Sequence, residues 1–176
     1  MSGQTPGLIL PFRGVLPRID PTAYIAPTAA VIGDVEIGPE SSIWFGCTLR
    51  GDVNEIRIGA RTNIQDGTVV HVASAGQGTY IGDDITVGHM ALLHACTLES
   101  GCFIGMKACI MDGAIVESGA MVAAGALVTP GKRVKGGQLW AGSPARPIRE
   151  LTDQDHEHFA KLAPGYVTLG RVYRAT

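Results

Sequence analysis

Three histidines lie close together in the sequence, at positions 71, 89 and 94, and they are three of the five in the chain. Neutral imidazole is a common ligand of zinc and also suits iron and cobalt. A single histidine in a β protein is more often a surface or hydrogen-bonded residue, but three in one short stretch favour a metal site. His71, His89 and His94 are therefore predicted to bind a metal ion, zinc first, with iron or cobalt as alternatives.

The elements that position these histidines follow from a six-residue period. Aliphatic side chains recur at every sixth position, a spacing that is neither the helical period nor a simple strand alternation. Such a repeat is typical of a hexapeptide parallel β-helix, in which three hexads form one triangular coil and coils are stable only when stacked. The predicted fold is all-β, with five to six coils. The repeating positions are Ile25, Val31, Ile37, Ile43, Leu49, Ile58, Ile64, Val70, Ile81, Val87, Leu93, Leu98, Ile104, Ile110, Val116, Val122 and Val128.

The period slips in three places, and these slips set the register of the histidines. Three extra residues are inserted within 49–58 and five within 70–81, while one is missing within 93–98. After the five extra residues are subtracted, His71 and His94 are 23 − 5 = 18 positions apart, which is one full coil. Their rings are therefore predicted to project from the same outer face, one above the other.

His89 belongs to the preceding face, near its corner. The same count places Asp66 below His89 and Arg50 below His71. Two ligands on one face and a third around the corner do not suit a single subunit, whereas a closed threefold oligomer sets different faces of neighbouring subunits together. The predicted assembly is a homotrimer with its metal ions at the subunit interfaces.

The chain is predicted to form a single domain over its 176 residues. An extended N-terminal arm is expected at 1–20, the β-helix at 21–131, a glycine- and proline-rich connection at 132–150 and a helical segment at 151–176. No coil within the β-helix is expected to fold alone, because each one buries its apolar residues only against its neighbours.

The C-terminal helical segment carries its own signals. Thr152 followed by Asp155 is typical of a helix N-cap, and the Pro-Gly pair at 164–165 is expected to kink or end the helix. Two further histidines of this segment, His156 and His158, lie among charged residues. Both are predicted to be solvent-exposed.

The composition limits the partners. With 14 basic and 16 acidic residues, the formal net charge is −2, which offers no strongly basic surface for nucleic acid or a membrane. The sequence has no apolar run of transmembrane length and no recognisable signal segment. Its four cysteines lack a paired CxxC spacing and are expected to be buried thiols in a reducing compartment. We therefore expect a cytoplasmic protein with a small-molecule substrate and neither nucleic acid nor membrane as a partner.

Several motifs together resemble one known family. The three spaced histidines combined with Asn-Ile-Gln-Asp are similar to the γ-class carbonic anhydrase branch of the hexapeptide-repeat proteins, over nearly the whole chain. The resemblance implies a left-handed β-helix, because spacing alone does not set the hand. It also implies that His71 and His94 come from one subunit and His89 from the next. The motifs are Arg50-Gly51-Asp52, Asn63-Ile64-Gln65-Asp66-Gly67, Val70-His71-Val72, Val87-Gly88-His89, Leu93-His94 and, shared with acyltransferases, Gly142-Ser143-Pro144-Ala145-Arg146.

The resemblance implies a reversible hydration of carbon dioxide to bicarbonate by a metal-bound hydroxide at the trimer interfaces. Three imidazoles around an ion with an open fourth position lower the pKa of a bound water to about 7. Gln65 would orient this nucleophile, and Asn63 would lie near the substrate pocket. Tyr166 matches a tyrosine near the metal pocket of the family, although packing alone would also explain it.

Three charged residues are implied as interface support. Arg50 and Asp66 would pair across the interface, with Asp52 joining them, although the same pair could serve only to hold the coils together. Well-studied γ-class enzymes carry glutamates in loops that pass the proton to solvent, whereas residues 73–78 contain no carboxylate. Asp52 and Glu55 are the nearby carboxylates that could replace them.

Two other functions are compatible with the sequence. A hexapeptide acyltransferase would use one histidine as general base and bind an acyl-CoA between subunits, which leaves two of the three histidines without a role. A non-catalytic metal-bound trimer, acting as a scaffold or small-ligand binder, explains the ligands but not the open coordination position.

Overall fold

The computed structural model describes residues 7–176, which form twenty β-strands followed by one α-helix, α1 (Asp153–Ala175). The strands in chain order are β1 (Leu8–Leu10), β2 (Arg18–Ile19), β3 (Tyr24–Ile25), β4 (Ala30–Ile37), β5 (Ser42–Ile43), β6 (Thr48–Ile58), β7 (Asn63–Ile64), β8 (Val69–His71), β9 (Thr79–Ile81), β10 (Thr86–Val87), β11 (Leu92–His94), β12 (Thr97–Leu98), β13 (Phe103–Ile104), β14 (Cys109–Ile110), β15 (Ile115–Val116), β16 (Met121–Val122), β17 (Leu127–Val128), β18 (Arg133–Val134), β19 (Gln138–Gly142) and β20 (Ala145–Glu150).

The strands stack as a left-handed parallel β-helix with three faces, which confirms the predicted fold. The first face holds β1, the first half of β4, the first half of β6, β8, β11, β14 and β17. The second holds β2, the second halves of β4 and β6, β9, β12, β15 and β18. The third holds β3, β5, β7, β10, β13, β16 and β19. Over the described residues each face therefore has seven levels, more than the five to six coils that were predicted from 25–128.

The additional levels lie at both ends of the predicted β-helix. Strands β1 and β2 pair in parallel with β4 inside the segment that was expected to be an arm; residues 1–6 of that arm lie outside the described residues. Strands β18 and β19 stack on β15 and β16 inside the expected connection. The six-residue step explains this, because Val134 and Trp140 continue it from Val128 and lie in register with Val116 and Val122.

All three predicted slips of the period are confirmed by the strand register. Between paired positions of β4 and β6, residues 33–35 lie opposite residues 51–56, which leaves three extra residues in β6. Ile58 pairs with Ile81, so the next coil contains five extra residues, and Ile81 pairs with Leu98, so the coil above is one residue short. The five residues inserted before β9 form a loop, whereas the three in β6 lie within the continuous strand, and in both coils the aliphatic side chains keep their positions.

Those aliphatic side chains fill a narrow core. On the first face Leu49, Val70, Leu93 and Ile110 lie directly above one another and are fully buried. Complete burial of such a side chain contributes about 1.5–3 kcal/mol. Because successive side chains of a strand point to opposite faces, each residue that follows a buried one projects outward.

The helix α1 packs back along the third face. Its predicted N-cap is confirmed, since Thr152 and Asp155 form a reciprocal capping box. Of the two expected effects of the Pro-Gly pair, a kink or an end of the helix, the end is wrong, because α1 continues through Pro164 to Ala175. Packing explains the continuation: beyond the proline, Gly170 lies so close to the first coils that a Cβ there would be 3.5 Å from the Tyr24 Cβ.

Within residues 7–176, no helix has the combined length and apolar character needed to span a membrane.

Candidate metal centre

His71 and His94 form a stacked pair on the first face. They end β8 and β11 and are paired in register between these strands, which confirms the predicted one-coil separation. Their ring centroids are 5.2 Å apart, and the planes are tilted by 49°. Both side chains are partly exposed. The two imidazoles therefore face a common outer space, where their nitrogens can converge on one ion.

His89 lies away from this pair, just after β10 on the third face. It lies one level above Asp66, and its Nδ1 atom is 2.9 Å from the Asp66 Oδ2 atom. Within residues 7–176, no cluster of three or more histidine, cysteine, aspartate or glutamate side chains is arranged to hold a metal ion. A single subunit thus presents two in-register imidazoles on one face and a third around the corner.

Each of the three imidazoles is fixed by a carboxylate. The His71 Nε2 atom lies 3.0 Å from the Asp52 Oδ1 atom, and the His94 Nδ1 atom lies 3.1 Å from the Asp112 Oδ1 atom. The His89 Nδ1 and Asp66 Oδ2 atoms are similarly close, at 2.9 Å, although this contact lacks the hydrogen-bond geometry of the other two. A carboxylate on one ring nitrogen fixes the tautomer and orients the other nitrogen for a ligand, which is the usual arrangement around metal-binding histidines.

Asp112 is the one member of these pairs that was not predicted. It lies 18 positions after His94, so a count of one coil length would have pointed to it. The short coil shifts the register by one, however, so Met111 stands above His94 and Asp112 follows at the corner. Its side chain reaches back to the histidine across that offset.

Asp52 connects His71 to Arg50, with which it forms an ion pair. Burial of Asp52 raises the pKa of its carboxyl group, but hydrogen bonds from His71 and from Arg50 outweigh this effect, so the net pKa is below the ordinary value. Asp52 is therefore a carboxylate at neutral pH. The predicted pairing of Arg50 with Asp66 is not formed inside one subunit, where Arg50 contacts Asp52 and Asp66 contacts His89.

Asn63 and Gln65 form a buried amide pair below His89. Asn63 donates from Nδ2 to the Ile85 carbonyl oxygen at 3.2 Å and contacts the Thr86 hydroxyl at 2.8 Å. A carbonyl oxygen only accepts, so the Asn63 amide nitrogen must face it and the Asn63 Oδ1 atom must face Gln65. Gln65 accordingly donates from Nε2 to this oxygen at 3.0 Å. Because its amide nitrogen is engaged by Asn63, Gln65 can offer its carbonyl oxygen as an acceptor, and its side chain lines the neighbouring groove.

That groove lies between α1 and the third face and has a volume of about 380 Å³. Gln65, His89 and Tyr166 line it together, so the structure brings these three predicted site residues to one place. Asn63 supports the groove from behind. The remaining lining is mostly apolar and includes Phe103, Met106, Met121 and Leu162.

Tyr166 both packs and lines the groove. Its ring meets the Trp44 ring edge-on with 5.5 Å between centroids, as part of an aromatic cluster under α1. Burial, and to a smaller extent the charge of Asp66, raise the pKa of the Tyr166 hydroxyl above its ordinary value. The tyrosine is therefore neutral at physiological pH and can donate a hydrogen bond.

A second, more open depression adjoins the stacked histidines. It is lined by Val53, His71, His94 and the loop segment 72–75. The loop is tied down at both ends, because Asn54 donates to the Ala73 carbonyl oxygen at 3.2 Å and Gln77 to the Ala95 carbonyl oxygen at 2.9 Å. No carboxylate lies among residues 72–75, as the sequence already indicated.

The donor set fits a first-row divalent metal ion. Three imidazoles, each with one nitrogen close to a carboxylate, would supply three nitrogen ligands to such an ion, which could then activate a bound water as a nucleophile. The four cysteines are poor competitors as ligands: Cys47, Cys96 and Cys102 are buried in the coils, and burial raises the pKa of Cys47 to about 11 and of Cys96 to about 12. The histidines are therefore the residues that would hold a metal ion.

Known proteins similar to this chain were found among both curated sequences and solved structures, whereas no protein-family model matches it. Gamma carbonic anhydrase 2, mitochondrial, of Arabidopsis thaliana is 48% identical over 162 residues, covering 89% of this chain and 58% of that protein. The chain spans about three fifths of the length of three such Arabidopsis proteins. A carbonic anhydrase of Geobacillus kaustophilus is 44% identical over 168 residues, covering 96% and 92% of the two chains.

A solved structure has the same fold over nearly its whole length. The hexapeptide transferase family protein of Anaplasma phagocytophilum superposes with a TM-score of 0.91 at 49% sequence identity, covering 94% of this chain and 98% of that one. Because 44% identity extends over nearly the full length of both this chain and the Geobacillus protein, the chain belongs to the γ-class carbonic anhydrase-like family of hexapeptide-repeat, left-handed β-helix proteins.

Proposed function

We propose that this protein is a homotrimeric, metal-dependent enzyme that reversibly hydrates carbon dioxide to bicarbonate, with zinc as its metal. Each metal ion is held by His71 and His94 of one subunit and by His89 of the next. The observation that carries the proposal is the carboxylate on each imidazole, because three histidines oriented in this way have a geometry suited to metal ligation rather than to a free surface.

The surface around the stacked histidines supports a subunit contact at that face. Val69 and Leu92 flank the pair on β8 and β11 and are exposed to 39% and 37%, and nearby Val53 and Met90 are exposed to 48% and 59%. A contiguous exposed apolar patch marks an interaction site. A threefold axis would cover it with the corner of the next subunit, which carries His89.

The chemistry follows from the donor set. A divalent ion bound by three imidazoles lowers the pKa of a coordinated water to about 7, which supplies hydroxide at neutral pH. Gln65 accepts a hydrogen bond from the attacking oxygen through the carbonyl oxygen that its contact with Asn63 leaves free, and so directs a lone pair of that oxygen to the substrate. Asn63 holds this orientation because the Ile85 carbonyl oxygen fixes its own amide.

The groove provides a place for the substrate. Carbon dioxide is uncharged and has no hydrogen-bond donor, so an apolar lining such as Phe103 and Met121 suits it. Tyr166 contributes a neutral hydroxyl that can donate to an oxygen of carbon dioxide or bicarbonate. Arg50 of one subunit pairs with Asp66 of the next in this proposal, exchanging its contact with Asp52 and locking the two halves of the metal site together.

The proposal is tested by metal analysis followed by rapid-mixing hydration of carbon dioxide. Protein purified without chelators should contain close to one metal ion per chain, and light scattering should give three times the 18.4 kDa of the single chain. The zinc-, cobalt- and iron-loaded forms are compared with chelator-stripped protein, and at least one should exceed the stripped form and buffer. Absence of bound metal would contradict the site, whereas bound metal without hydration would leave a non-catalytic metal-bound trimer.

A second candidate, an acyltransferase, is favoured by the name of the Anaplasma protein, which is called a hexapeptide transferase family protein. One histidine would then act as general base at a subunit interface. Free thiol release from acetyl-CoA in the presence of amine and alcohol acceptors tests it.

The cytoplasmic location stays a prediction. The three Arabidopsis relatives are named as mitochondrial proteins.

A further inference from the structure

His158 lies in the groove that contains His89 and Gln65. Its side chain is exposed, whereas Gln65 at the other side of the groove is buried. The groove therefore connects the buried amide to solvent past the imidazole of His158. His156, two residues earlier, lines a different cavity together with Asp84 and Ala163.

The position of His158 is fixed by aromatic packing. Its ring meets the ring of Phe159 edge-on with 6.1 Å between centroids. Phe159 in turn stacks on Phe103 of β13 at 4.8 Å, with the planes only 12° apart. This contact anchors the first half of α1 to the third face, so His158 is held at the groove rather than on a loose helix end.

Hydration of carbon dioxide requires a side chain that carries a proton from the site to solvent. Each turnover at neutral pH yields one bicarbonate ion and one proton, and a side chain that titrates near the working pH transfers such a proton efficiently. Among the residues that line this groove, only His89, His158 and Tyr166 have ionisable side chains. His89 is a proposed ligand, and the pKa of Tyr166 is raised by burial and by Asp66. His158 is the remaining group.

The charged groups around His158 are few. Within α1, Asp155 and Lys161 lie one turn away on either side, and Asp155 is engaged by Arg149 at 2.6 Å. Glu157 is adjacent in sequence. From the third face, the titratable group that faces the groove is His89. Within the described residues His158 therefore forms no ion pair with a carboxylate, and its exposed ring is accessible to water.

We infer that His158 is the proton-transfer residue of this protein, an inference that rests on the proposed function. The water that supplies the nucleophile loses its proton through water in the groove to the neutral imidazole of His158. The resulting imidazolium passes the proton to a buffer base in solution, which restores the imidazole. The charge balances at each step, since one proton leaves the groove for each bicarbonate formed. His158 thereby replaces the carboxylates that residues 73–78 lack.

Steady-state kinetics of His158→Ala in weak buffer test the inference. We expect kcat to fall roughly 10- to 100-fold, less than for an acid or base in the transition state, because buffer still accepts protons slowly. kcat/KM should change by less than about twofold, because it reports the steps up to bicarbonate formation. Added imidazole should restore kcat in a concentration-dependent way. His156→Ala is the matched control and should keep the wild-type kcat.

A second measurement does not depend on turnover. Adding cobalt(II) to the metal-free trimer should shift the ring proton resonances of His158 more than those of His156, because paramagnetic shifts fall steeply with distance and only His158 lines the groove of the metal site.

The outcomes separate the two proposals. A wild-type protein that hydrates no carbon dioxide in any metal form overturns the proposed function and this inference with it. An active wild type whose kcat survives His158→Ala at every buffer concentration overturns the inference alone. So does an equal loss in His156→Ala, a loss of kcat/KM that imidazole does not repair, or an equal cobalt shift at both histidines.

Discussion

His71 and His94 occupy equivalent positions on successive coils, paired in register with their ring centroids 5.2 Å apart. The five residues inserted between β8 and β9 leave this register intact, because they lie outside the repeating coil and the two histidines remain one coil apart when these residues are subtracted. The loop also lies beside both rings. The insertion thus leaves the two predicted ligands aligned and forms a wall next to them.

Substitution of His89 is expected to remove the metal without unfolding the chain. In His89→Ala the site keeps only two imidazoles, while the core is untouched because the side chain projects outward. Metal content measured by mass spectrometry should fall close to zero, and the far-ultraviolet circular dichroism should match the wild type. A variant that retains full metal would show that His89 is not a ligand.

Mixed trimers test whether the site is shared between subunits. When His89→Ala and His71→Ala chains are unfolded together and refolded, some interfaces receive intact His71, His94 and His89 from two different chains. Such mixtures should regain part of the metal content that each variant lacks alone. Each variant refolded separately is the control, and a mixture that regains no metal would contradict the cross-subunit arrangement.

Gln65→Ala is expected to lower kcat/KM for carbon dioxide while leaving the metal in place. The substitution removes the acceptor that orients the attacking oxygen, a loss of about 10- to 100-fold for one positioned hydrogen bond. Metal content should equal that of the wild type. Thr86→Ser is a matched control, since its hydroxyl still meets the Asn63 amide, and it should keep most of the activity.

Asp112→Asn is expected to weaken metal binding. Loss of the carboxylate on the His94 Nδ1 atom leaves the ring less well oriented and less basic, and such partners contribute about 10- to 100-fold in metal affinity. Competition with a chromogenic chelator measures the effect. Asp153→Asn, an exposed change in the first turn of α1, controls for the loss of one negative charge and should bind metal as tightly as the wild type.

The capping box of α1 is expected to lose its stabilising effect in acid. Hydrogen bonds from Arg149 and then from Thr152 hold the pKa of Asp155 well below its ordinary value. A carboxyl group whose pKa is lower in the folded than in the unfolded state stabilises the fold fully above its unfolded-state pKa of about 3.9. This stabilising contribution is lost as the pH falls from that value toward the folded-state pKa. In thermal melts at pH 7, the melting temperature of the wild type should be higher than that of Asp155→Asn. The difference in melting temperature should shrink below about pH 4. A constant difference from pH 7 to pH 2 would contradict this.

A core substitution on the strand that carries His94 should lower the stability of the fold. Leu93→Ala removes a fully buried side chain that precedes His94 on β11. The expected destabilisation is about 2–5 kcal/mol, from lost burial and from the cavity left behind. Denaturant unfolding of the metal-free protein measures it. Leu92→Ala, the exposed neighbour on the same strand, should change stability far less in a dissociated subunit.

The register of the histidines could be derived from the sequence because a β-helix repeats a fixed length. Counting residues between aliphatic positions was enough to place His71 under His94 and Asp66 under His89, and the strand pairing confirms both. The same period continues to Val134 and Trp140, so the β-helix extends beyond its predicted C-terminal boundary at residue 131. The continuation of α1 through Pro164 could not be derived from the sequence period, because packing of the helix on the first coils outweighs the local helix-breaking tendency of proline.

The sequence by itself determined the repeat, the three loop insertions and therefore which outward residues share a column. The tertiary structure decided the contacts that cross between columns: Asp112 reaching back to His94, Asn63 engaging the Gln65 amide nitrogen, and α1 bringing His158 and Tyr166 to the groove beside His89. The physical reason is that backbone register follows from the length of the coil, whereas the direction of a side chain and the docking of a helix depend on hydrogen bonds and packing between residues far apart in the chain.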